Sequence, residues 1–103
     1  RYLPEHRLSF GLVDEGKTPE RVVRVLATKP GEKLPEPQIA LLNDDDNLFS
    51  HTVTEHSGGA GYEIRVKLAD GAPTGRHDAK LRIEFGGEYA DESKEMSVTA
   101  IIR

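Results

Sequence analysis

A chain of 103 residues holds about one domain, long enough to bury a single core. Its net charge is −4 and its Lys and Arg are scattered, so it carries no basic footprint for nucleic acid. No apolar run approaches the roughly 18 residues of a membrane span, and the absence of Cys excludes disulfide and thiolate chemistry while leaving the compartment open.

Near the start, Leu8, Phe10 and Leu12 alternate with Arg7, Ser9 and Gly11, the period of a strand with one apolar face. Asp14-Glu15-Gly16-Lys17 reads as a turn, and Arg21 to Thr28 as a second strand. In it Val23 and Val25 are expected inside and Arg24 outside. Lys29-Pro30-Gly31-Glu32 is another turn. Leu34-Pro35-Glu36-Pro37 is extended, because each proline lacks an N–H and biases its predecessor away from the helical region. It leads as an edge approach into a strand over Gln38 to Leu42.

The polar break Asn43-Asp44-Asp45-Asp46-Asn47 precedes a weaker strand, Leu48 to Glu55, with Phe49 and Val53 inward. Ser57-Gly58-Gly59-Ala60-Gly61 reads as a flexible connector. The two strongest strands follow. Tyr62, Ile64, Val66 and Leu68 alternate with Glu63, Arg65 and Lys67, and Ala79, Leu81, Ile83 and Phe85 alternate with Lys80, Arg82 and Glu84. The connection from Ala69 to Asp78 exceeds the two to five residues typical of a hairpin. It therefore predicts an arch: Ile64, Val66 and Leu68 in one sheet face Leu81, Ile83 and Phe85 in the other. Gly86 to Lys94 is a charged loop with a helical turn near Asp91-Glu92-Ser93. The last strand runs from about Glu95 to Arg103, with Met96, Val98, Ala100 and Ile102 on one face. Seven short strands at roughly ten-residue spacing predict an all-β antiparallel sandwich, with residues 1–103 forming one domain. Both ends read as cut from a longer protein, since the chain starts at Arg1 and stops directly behind Ile101-Ile102.

The segment Phe10-Gly11-Leu12-Val13-Asp14-Glu15-Gly16 fits FG-x-V-x-x-G. Glu63 to Leu68, Pro73-Thr74-Gly75, Lys80 to Ile83 and Met96 to Ile102 fit the strands and P-x-G bend that accompany that pattern. With these residues the chain resembles the DUF1573-type bacterial immunoglobulin-like domains, which are similar to the ASH/hydin group of sandwiches. The resemblance covers nearly the whole chain. It implies an immunoglobulin-like fold of about seven strands and an extracytoplasmic setting in a bacterial envelope, periplasmic or cell-surface. It implies no reaction.

Each candidate chemistry in the sequence has a plainer reading beside it. The Asn43–Asn47 run offers oxygen ligands for calcium. However, an EF-hand starting at Asn43 would need Gly and Glu where Leu48 and Thr54 stand. The plainer reading is an acidic loop that keeps a sheet edge soluble. His6, His51, His56 and His77 show no metal-binding spacing, and His51 and His56 face opposite ways on one strand. His56-Ser57 and His77-Asp78 place nucleophile, base and acid types side by side, but neighbours in sequence do not make a triad, and no Gly-x-Ser-x-Gly is present. Ser57–Gly61 lacks the Lys and helix start of a phosphate loop. Tyr89 is the one aromatic placed in a loop where a sugar could stack. The alternating charges Glu63, Arg65, Lys67 and Lys80, Arg82, Glu84 suit a solvated outer face better than a partner surface.

These readings lead to the expectation of a non-enzymatic structural or protein-interaction module with no catalytic, cofactor-binding or metal residues. Its partners are then a protein or neighbouring domains of the same chain. The alternative is a ligand-binding module for calcium or carbohydrate.

Overall fold

A computed structural model describes residues 1–29, 31–44, 46–56 and 60–103. Its strands are β1 (Tyr2–Leu3), β2 (Arg7–Val13), β3 (Glu20–Leu26), β4 (Gln38–Leu42), β5 (Phe49–His56), β6 (Gly61–Leu68), β7 (Gly75–Glu84) and β8 (Lys94–Ile102). They form two sheets, β1-β3-β6-β5 and β2-β8-β7-β4. This is the immunoglobulin-like arrangement. One sheet takes the first, second, fifth and fourth strands of that fold, the other takes its third, sixth and seventh, and β2 lies along the last strand. The fold is therefore an all-β sandwich, as the alternation predicted.

Among the described residues the strand count is eight, not seven. The added strand is β1, whose two residues pair with Val25 and Arg24 and are too few to show a period. One pairing also departs from a purely antiparallel sandwich: β2 runs parallel to β8. The entering chain joins the first sheet as β1 and then crosses to the second as β2.

The crossing explains a correction on β2. Leu8 and Phe10 are buried as expected, but Leu12 is 60% exposed and Val13 is buried instead. Gly11 adopts φ +66° and the β2–β8 register shifts between Ser9 and Leu12. An extra residue in a bulge turns every later side chain to the other face.

The arch between β6 and β7 is present. The two strands lie in different sheets, and Ile64, Val66, Leu68, Leu81 and Ile83 are fully buried between them. Strand β7 begins earlier than expected, at Gly75, because Arg76, His77 and Asp78 pair with Ile101, Ala100 and Thr99 of the long β8. The link is thus residues 69–74, with Gly71 at φ +80° and Ala72 plugging the core.

The other inward residues follow the alternation. Val23 and Val25, Phe49, and Met96, Val98, Ala100 and Ile102 are buried, while Val53 is half-buried. The charged loop contains a 3-10 turn over Gly87–Glu92, starting earlier than expected. The Phe10 and Phe49 rings, from opposite sheets, meet at 5.6 Å and 38°, a tilted aromatic contact that stitches the layers. Among the described residues no charged or non-aromatic polar residue is buried.

Candidate functional site

The outer faces carry the chemistry. On the first sheet the alternating charges pair with each other: Glu63 meets Arg24 and Arg65 at 3.4 Å, and Arg65 also reaches Glu20. Such exposed pairs contribute little each, and Lys67 on the same face has no ion-pair partner among the described residues.

The second sheet brings two such unpaired cations near each other. The register sets Arg7 of β2 opposite Ser97 of β8, and Ser97 opposite Lys80 of β7. In the next row Ser9 faces Thr99, and Thr99 faces Asp78. These side chains point outward because Leu8, Ala79 and Val98 between them point in. Arg7, Asp78, Lys80, Ser97 and Thr99 line a shallow groove of about 680 Å³, with His6 and Asn43 also in its wall. The two nearest acids are already engaged. Arg76 Nε donates to both oxygens of Asp78 at 3.1 Å, and Arg82 Nε donates to Glu95 at 2.9 Å. Among the described residues, neither Arg7 nor Lys80 has a salt-bridge partner.

The sequence candidates do not converge. Within the Asn43–Asn47 run, Asp45 lies outside the described residues. Asp44 turns its carboxylate to the chain itself, accepting from the Leu48 and Phe49 amides at 2.8 and 3.0 Å. Asn43 and Asn47 take positive φ, at 61° and 52°, to shape this turn. Among the described residues no three His, Asp or Glu side chains gather as a metal site.

His6 is exposed beside Glu5, and His51 and His56 are exposed on β5. His77 Nε2 lies 2.7 Å from the Pro73 carbonyl, whereas Asp78 points to the opposite face, toward Arg76. Neighbours on a strand face opposite ways, so His77 and Asp78 cannot act on one substrate atom. Ser57, Gly58 and Gly59 lie outside the described residues.

Tyr89 is half-buried in the 3-10 turn and packs against the core, so less of its ring is free for stacking than a loop position suggested. Burial, then Glu32 and Glu88, raises its pKa. Tyr2 is held by the Glu92 carbonyl and covered by the Lys94 ammonium, 5.3 Å from the ring centre. Burial, with Glu92 adding to it, pushes its pKa up to about 12.

The pairing of Arg7, Ser97 and Lys80 was missed by sequence reasoning. Each residue reads as an ordinary outward position on its own strand. Only the parallel β2–β8 register brings them together, and no local signal announces it.

The fold and its surfaces define an immunoglobulin-like β-sandwich with a polar groove on one outer face. The chain matches no model of a known protein family, and a search of curated proteins returns no significant match.

Proposed function

We propose that the chain is a non-catalytic, immunoglobulin-like structural or protein-interaction module of a larger bacterial extracytoplasmic protein. The observation that supports this most is the path of the chain through the sandwich. Tyr2 enters beside Glu92, just before β8 begins, and its neighbour Arg1 bonds Leu26. Arg103 leaves at the other end of β8, where its amide donates to the Val13 carbonyl and its side chain meets Asp14. Entry and exit at opposite ends of an elongated body, 44 × 22 × 18 Å, suit a unit that transmits the chain in line between neighbours.

The filled interior supports the same reading, since the space between the sheets is occupied by side chains such as Ile64, Leu81 and Val98. The envelope setting and the DUF1573-type kinship rest on the resemblance alone, carried by Phe10 to Gly16, Glu63 to Leu68, Pro73 to Gly75, Lys80 to Ile83 and Met96 to Ile102.

The test is a replacement in the parent protein. Exchanging residues 1–103 for an unrelated sandwich of similar length preserves the parent's function if this is a spacer. It abolishes function, while leaving the protein folded and exported, if the surface holds a partner. Loss of a measurable turnover with His77→Ala in the folded chain would contradict the non-catalytic reading, and recovery of the parent protein in the cytosol would contradict the extracytoplasmic one.

A further inference from the structure

We propose that the groove on the second sheet binds an anionic saccharide, with Arg7 and Lys80 taking its acidic group and Ser97 and Thr99 bonding its hydroxyls. This goes beyond the module reading, because a spacer needs no such site.

The charge arrangement carries the inference. Arg7 and Lys80 stand two strand spacings apart, about 10 Å between backbones, with Ser97 midway. Both side chains are long enough to converge on one oxyanion above the Ser97 hydroxyl. Asp78 and Glu95 would neutralise this pair if they were free, but Arg76 and Arg82 hold them. Arg82 is shared between Glu95 and Glu84, so these acids only partly offset the mutual repulsion of Arg7 and Lys80, neither of which has an ion-pair partner among the described residues. An anion placed between them relieves that repulsion.

The rest of the groove indicates what carries the anion. Its volume, about 680 Å³, is far more than one ion fills. Besides His6, Ala79 and the Arg76–Asp78 ion pair, the additional lining is hydroxyl and amide, from Ser97, Thr99 and Asn43, which matches the donor and acceptor pattern of sugar hydroxyls. Among the described residues no Phe, Tyr or Trp lines the groove, and its one ring is the small His6 imidazole, so a neutral sugar lacks a broad stacking platform. The same lack disfavours single-stranded nucleic acid, which depends on stacking. A peptide would look for a buried aromatic or aliphatic anchor, and the exposed Leu12 and Ile101 lie outside the groove lining. Charge is the remaining handle, and the saccharide must supply it as carboxylate, sulfate or phosphate.

The test is a titration of the isotope-labelled chain, followed by amide shifts, with a sulfated disaccharide, its desulfated counterpart and inorganic sulfate as probes. The expected result is weak, saturable binding of the sulfated sugar that shifts the Arg7, Lys80, Ser97 and Thr99 amides and disappears in high salt. Arg7→Gln and Lys80→Gln each weaken it about threefold while leaving the remaining spectrum unchanged. Lys67→Gln, on the opposite sheet, leaves it unaltered. Equal weakening by Lys67→Gln, or no shift at the groove amides, overturns the site. Inorganic sulfate or the desulfated sugar binding as tightly as the sulfated one overturns the assignment to an anionic saccharide.

Discussion

The Tyr62 hydroxyl donates a 3.0 Å hydrogen bond to the backbone carbonyl of Leu34, 28 residues earlier in the chain. Tyr62 is the second residue of β6 in the first sheet, and Leu34 lies in the proline-rich approach to β4 in the second. The bond ties a segment with few ladder bonds of its own to the core. Tyr62→Phe keeps the ring but leaves the carbonyl without its partner. The expected loss is about 1–3 kcal/mol by urea unfolding, with the chain still folded in water.

Alkaline stability follows from the tyrosines. Tyr2 has a folded-state pKa raised from 10.0 to about 12, chiefly by burial. Tyr62 is raised in the same direction by burial, then by Glu55 and Glu36. A raised pKa means that the folded chain holds the phenolic proton more tightly than the unfolded chain. That stabilisation is complete below the unfolded value and is lost as pH rises through the folded one. Stability should therefore fall across the window from 10.0 to about 12. Tyr2→Phe should flatten the fall, as measured by thermal unfolding across that range.

Gly61 is required by a close approach. A Cβ there would stand 2.7 Å from the Val25 carbonyl oxygen and 2.9 Å from Leu26 Cδ2. The Leu26 methyl can swing aside, but the carbonyl belongs to the β3–β6 ladder and cannot. Gly61→Ala should cost about 1–3 kcal/mol. Gly86→Ala, where a Cβ meets nothing within 4 Å, should be close to neutral. Matched chemical denaturation of the two variants checks the contrast.

Asp44 separates two readings of the acidic loop. If its carboxylate serves the Leu48 and Phe49 amides, then Asp44→Ala destabilises by about 0.5–2 kcal/mol, by analogy with other carboxylate-to-amide caps. The loss should be the same in chelator and in calcium. A loss seen only in calcium would make Asp44 a ligand instead.

Much of the sandwich was legible because strand alternation is a local property. Val23 and Val25, Ile64, Val66 and Leu68, Leu81 and Ile83, and Met96, Val98, Ala100 and Ile102 all lie inside as their period required. The arch was legible from the length of its link and the proline and glycine in it. What escaped depended on non-local or sub-period facts. Strand β1 has two residues and no period. Leu12 turned outward because one glycine at φ +66° added a bulge. The parallel pairing of β2 with β8 joins residues some 90 positions apart, such as Arg7 and Ser97. The groove escaped for that reason, since it exists only once three distant strands lie side by side.

The claim that the chain runs through the sandwich from end to end can be measured as a distance. The chain has no cysteine, so Arg1→Cys and Arg103→Cys would accept spin labels at those two positions alone. β8 has nine residues between the Tyr2 and Arg103 ends, which at about 3.3 Å each separates them by roughly 30 Å. Pulsed electron resonance should return a single narrow distance near that value, lengthened by the label arms. A distance under about 20 Å would place entry and exit at the same end and contradict the in-line module.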